Sequence, residues 1–81
     1  MVAMTRDEWL KSLALEFGVE PPTLAEADAL LDLAGEAAHA SERQAAPLSC
    51  WLAARAGLDP FQALEVARRI ARVEYGGGAG G

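Results

Sequence analysis

The sequence predicts an all-α protein: a compact bundle of four short helices with a disordered, Gly-rich C-terminal tail. Three observations carry that expectation. Apolar residues recur at helical spacing in four separate segments. Polar caps, prolines and glycines fall where those segments should start and stop. No alternating run rich in Val, Ile or Thr offers a strand. The packed part is expected to be one domain, residues 1–75, with 76–81 as a flexible tail.

The first helix is expected over about residues 6–17. Thr5-Arg6-Asp7-Glu8 fits a capping box, in which a Thr oxygen accepts an orphan backbone N–H and the Glu three residues later reaches back. Leu10, Leu13, Ala14 and Phe17 then share a face, with Trp9 beside them, and Gly18 suits the left-handed end. Val19-Glu20-Pro21-Pro22 is a stiff connector. Thr23-Leu24-Ala25-Glu26 repeats the box and opens a helix reaching about Ser41. Leu24, Ala27, Leu30, Leu31, Ala34, Ala37 and Ala38 make its apolar face, and Asp28, Asp32 and Glu36 a solvated acidic stripe opposite. Gly35 lies mid-helix, where Gly costs about 1 kcal/mol against Ala. A close helix crossing would account for it.

Pro47 is expected at the first position of a third helix, where a missing N–H costs nothing. Leu48, Trp51, Leu52 and Ala56 follow one face up to Gly57. Asp59-Pro60-Phe61-Gln62 starts the fourth helix, with Asp as N-cap, and Phe61, Leu64, Ala67, Ile70, Ala71 and Val73 form its apolar side. Arg68, Arg69 and Arg72 sit late in that helix, where cations suit the dipole. The tail from Gly76 to Gly81 lacks packing side chains.

Composition narrows the function. The chain has 81 residues, 52% hydrophobic and 23% charged, too apolar for a disordered segment. With 7 basic and 12 acidic residues its net charge is −5, a poor starting point for binding phosphates. The charge is unevenly split: residues 1–42 carry nine acids and two bases, a net −7, and residues 43–81 three acids and five bases, a net +2. One Cys and one His supply neither a disulfide nor a zinc set. No apolar run approaches the roughly 18 residues of a membrane span, and no apolar leader follows the N-terminus, so a cytoplasmic protein without membrane contact is expected.

The candidates for chemistry are few. His39, four residues before Arg43, could form an anion or partner site with it, or simply cap a helix C-terminus. Cys50 lies near a helix start, which can lower a thiol pKa, but a nucleophile there needs a base and only His39 is at hand. A buried structural thiol is the preferred reading. Glu36 and His39 have the Glu-x-x-His spacing of a carboxylate metal site, without the second copy such sites use. The pair of helices from Pro47 to Glu74 has a helix-turn-helix outline, although its arginines lie late and only Gln62 reads as a base contact. Trp9 and Trp51 are expected to anchor the core, or one of them to serve as an exposed interface anchor.

Residues 31–39, Leu-Asp-Leu-Ala-Gly-Glu-Ala-Ala-His, and then Arg43-Gln44-Ala45-Ala46-Pro47-Leu48-Ser49, together with Trp9-Leu10, resemble a small uncharacterised helical domain found mainly in actinobacteria. That domain shows a Trp-Leu near its start, an L-D-L-A run ending in A-H, and then R-P-A-A-P-L-T. The likeness covers about residues 8–57, and Gln44 replaces the family's Pro. Members are fused to, or encoded near, the guanylyltransferase that completes the molybdenum cofactor, and lie near formate dehydrogenase genes. The resemblance implies an accessory role around molybdenum enzymes by association.

Together these readings predict a non-catalytic accessory subunit or adaptor of a molybdenum-dependent oxidoreductase, of formate dehydrogenase type, or of its cofactor-maturation machinery. No catalytic group, cofactor or metal is expected. The expected partner is a larger protein, contacted through His39, Arg43, Pro47 and Trp51. A nucleic-acid-binding helix-turn-helix module ranks second.

Overall fold

Side chains at the helix starts fix where three of the four described helices begin. In the computed structural model, which describes residues 4–74, the element order is α1 (Arg6–Phe17), α2 (Leu24–Ala40), α3 (Ala45–Arg55) and α4 (Pro60–Glu74), with no strand among the described residues. The tail expected to be disordered lies outside those residues. At α1 the Glu8 N–H donates to Thr5 Oγ1 at 3.1 Å while the Thr5 N–H donates to Glu8 Oε1 at 2.8 Å. Thr23 and Glu26 do the same for α2 at 3.1 and 2.8 Å. Asp59 and Gln62 build a third reciprocal cap at α4, at 2.8 and 3.1 Å. Each cap satisfies two donors that would otherwise lack partners.

Glycines close two helices. Gly18 and Gly57 have φ of 70° and 76°, and the next residue's N–H returns to a carbonyl five back, Val19 to Ala14 and Leu58 to Ala53. Only α3 lacks a side-chain cap: Gln44 precedes it in a helical conformation and makes none. Its start also corrects the expectation for Pro47. The helix begins at Ala45, so Pro47 is its third residue, still within the first turn where an N–H has no intrahelical partner.

Helix α2 is the hub, packing against both α3 and α4. Leu33, 4% exposed, meets Ala63 and Leu64 of α4, and Leu30, Cys50, Ala53 and Ala67 close around them. Among the described residues six apolar ones are buried; four are Ala, and Leu33 and Leu64 are the only large ones. A fully buried Leu is worth roughly 1.5–3 kcal/mol, and Ala far less. Helix α1 has no comparable packing; Asp7, Leu10 and Lys11 face Pro21, Pro22, Leu24 and Ala27 across a shallow hollow.

Several facial assignments change. The inward face of α2 holds Ala29 and Leu33, whereas Leu24 and Leu31 are exposed. Apolar residues surround most of α2, so periodicity alone does not choose the side its neighbours occupy. On α3 the expected face is turned outward: Leu48, Trp51 and Leu52 are all exposed, and the small Cys50 and Ala53 pack on the core. Both tryptophans are exposed, Trp9 at 55% and Trp51 at 58%, so neither anchors the core. On α4, Phe61, Ile70 and Val73 are exposed while Ala63 and Leu64 are buried. No close crossing accounts for Gly35, since a Cβ there would meet nothing within 4 Å. The acidic stripe is engaged rather than merely solvated: Arg68 Nε lies 3.5 Å from Glu36 Oε2 and its NH2 nitrogen 3.9 Å from Asp32 Oδ2.

Candidate interaction surface

The large apolar side chains that should fill a core instead make a surface. Small residues on the inner side of α3 let it approach α2 closely, and on a helix the larger residues between them then point away. Trp51 is the centre of that outer face. The Arg55 guanidinium lies over its ring, 5.2 Å from the centroid, which holds the indole in place while leaving much of it open to solvent. Pro47 lies one turn before Trp51 and is also exposed.

His39 and Arg43 are both exposed but do not form the helical pair their spacing suggests. Helix α2 ends at Ala40, where the Ser41 N–H donates to the Ala37 carbonyl, and Arg43 lies in the following turn. His39 belongs to the last helical turn, where a cation suits the carbonyl end. The two residues flank the α2–α3 connector at one end of α3, and Pro47 and Trp51 continue along α3 from there.

Cys50 faces inward beside the core cluster, and its burial raises the thiol pKa above the ordinary value of 9.0. A helix start therefore does not activate this thiol, and the structural reading of Cys50 holds. Among the described residues no three His, Cys, Asp or Glu side chains gather closely enough to hold a metal.

Sequence reading missed one feature of the surface. Helices α3 and α4 both lean on α2 but leave a groove between themselves, of about 280 Å³, floored by Leu33 and Ala63. Its walls are Leu52 of α3 and Ala56 just after it, and Val66 and Ile70 of α4. A second hollow of about 160 Å³ extends it past Ile70 toward Ala40 and Glu36. The signal was present in the stripe of small residues Ala46, Cys50 and Ala53, which marks the close-packed side of α3 and by elimination the open one.

An all-helical domain of this length, with an alanine core and outward-facing large residues, invites comparison with known families. The match that decides it spans residues 2–75. The chain belongs to the DUF6457 family, a domain of unknown function. No curated protein matches it. No solved structure matches it either. Family membership thus places the chain among uncharacterised small domains, and no helix among its described residues is long and apolar enough to cross a membrane.

Proposed function

We propose that this DUF6457 chain is a non-catalytic accessory subunit or adaptor in the cytoplasm. Its partner is a larger protein: a molybdenum-dependent oxidoreductase of formate dehydrogenase type, or a factor that matures its cofactor. The outward face of α3 carries the reading. Leu48, Trp51 and Leu52 are exposed above a core whose buried positions are mostly Ala. A contiguous apolar patch centred on a Trp beside an Arg has the composition of a binding hot spot. Covering it would also stabilise a small domain by mass action. The class of partner rests on the resemblance of the Ala38-His39 and Arg43-to-Ser49 blocks to domains encoded beside molybdenum enzymes.

His39, Arg43 and Pro47 border the patch at the α2–α3 connector and supply its polar rim. The nucleic-acid alternative is supported by the α3–turn–α4 outline, but the chain carries a net charge of −5 and Arg68 is shared with Glu36 and Asp32. The test is purification of tagged full-length chain from its native cells at moderate salt, with mass spectrometry and metal analysis. A stoichiometric molybdenum enzyme or maturation factor is expected. Arg43→Ala and Trp51→Ala should each weaken its binding at least tenfold while the helical circular dichroism stays unchanged. Recovery without such a protein, or variants that bind as well as the parent, would sink the proposal.

A further inference from the structure

Arg55 stands where the exposed apolar face of α3 meets charge. Its guanidinium lies over the Trp51 ring, 5.2 Å from the centroid, and the residue is itself exposed. A guanidinium stacked on a ring uses its flat face and keeps its N–H edge free for a second partner. Among the described residues no carboxylate takes that edge: the ion pairs there belong to Arg6 and Arg68. Asp59, the acid nearest to Arg55 in the sequence, accepts the Gln62 N–H at the start of α4 instead.

We propose that the α3 face receives an acidic segment of its partner: a carboxylate forks onto the N–H edge of Arg55 while an apolar side chain beside it covers Trp51 and Leu48. This recognition rests on the reading of α3 as a partner surface, and specifies the chemistry of what covers it. Local charge is complementary to such a segment. Residues 43–58 hold two arginines and no acid, residues 59–81 balance three acids with three bases, and residues 1–42 carry a net −7. Of these three segments, only the one that bears the apolar patch is net positive. A basic segment would meet like charge there.

The range of the interaction selects a protein carboxylate over other anions. Screening confines electrostatic attraction to about 8 Å at physiological salt. A carboxylate in contact with Arg55 feels mainly that cation. An anionic membrane or a nucleic acid extends past it, toward Glu42 and the rest of a chain whose net charge is −5. The planar fork also matches a carboxylate through two parallel N–H donors, which an ammonium cannot offer.

Titration of the full chain with two blocked, helical peptides tests the proposal. Both peptides carry the same leucines; one flanks them with glutamates and the other with lysines. Trp9→Phe leaves Trp51 as the only Trp, so its emission reports the α3 face directly. The glutamate peptide is expected to shift that emission to the blue and to bind about tenfold more tightly than the lysine peptide, the gap closing as salt rises. Arg55→Gln should erase the preference and Arg55→Lys should lose most of it, with helical circular dichroism unchanged in both. Loss of this preference would leave the molybdenum-enzyme partner in place, and failure to recover that partner from cells would leave the preference in place, so the two readings fail separately. Equal binding of the two peptides, no shift with either at about 1 mM, a preference that survives Arg55→Gln, or an equal shift with phosphatidylglycerol vesicles would each overturn the proposal.

Discussion

Helices α2 and α3 are both rich in Ala and Leu, yet one is the centre of the molecule and the other a rim. Helix α2 starts from a full capping box and sends Leu33 into the core. Helix α3 starts without a side-chain cap, buries none of its residues fully and turns Leu48, Trp51 and Leu52 to solvent. The difference teaches that apolar periodicity reports a face that wants cover, not what covers it. On α2 the chain itself provides the cover; on α3 small residues occupy the covered side, and the large ones are left exposed.

The sharpest test of that contrast compares two truncations of large side chains. Leu33→Ala should cost about 2–4 kcal/mol, close to unfolding so small a domain, as read by urea denaturation. Trp51→Ala removes a larger group, yet should cost no more than about 0.5 kcal/mol, because the side chain is exposed. A Trp51→Ala loss equal to that of Leu33→Ala would mean that α3 packs with its opposite face inward.

The second contrast is at the helix starts. Thr23→Ala should cost about 1 kcal/mol, because the N–H of Glu26 loses its acceptor. Gln44→Ala should cost almost nothing, since Gln44 makes no cap. Gly35→Ala should act in the other direction and stabilise the fold by up to about 1 kcal/mol, because the helix gains propensity and the added methyl meets no neighbour. A destabilised Gly35→Ala protein would reveal a close approach at that point, with a partner or a second copy.

The ionisation of Cys50 gives a smaller effect. Its folded-state pKa is raised by burial, so the stability it contributes is complete below the unfolded value and is lost as pH rises through the folded one. Denaturation midpoints should therefore fall above about pH 9, and less so in Cys50→Ala than in the parent.

The order and bounds of the helices were legible in the sequence because their ends are written in local chemistry. Thr5, Thr23 and Asp59 each cap within three residues, and Gly18 and Gly57 act on their immediate neighbours. The start of α3 was misplaced by two residues for the same reason in reverse: no cap marks it, and Pro47 is compatible with any position in a first turn. Facing was less legible. Which side of α2 meets α3 and α4 depends on residues far apart in the chain, and Leu33 was outside the expected stripe because both stripes are apolar. The residues named for contact, His39, Arg43, Pro47 and Trp51, are all exposed, but the groove between α3 and α4 arises from how two helices diverge, which no single segment encodes.

The three acids of α2 form a ladder whose rungs, Asp28, Asp32 and Glu36, are spaced by four residues. Arg68 spans the upper two. Moved one helical turn, about 5.4 Å, it would find Asp28 and Asp32 in nearly the same arrangement. The electrostatic clasp therefore holds α4 to that side of α2 without setting its height. The height is set by Leu33 meeting Ala63 and Leu64, with Leu30, Cys50, Ala53 and Ala67 around them, so this one cluster acts as the detent that stops one helix from sliding along the other.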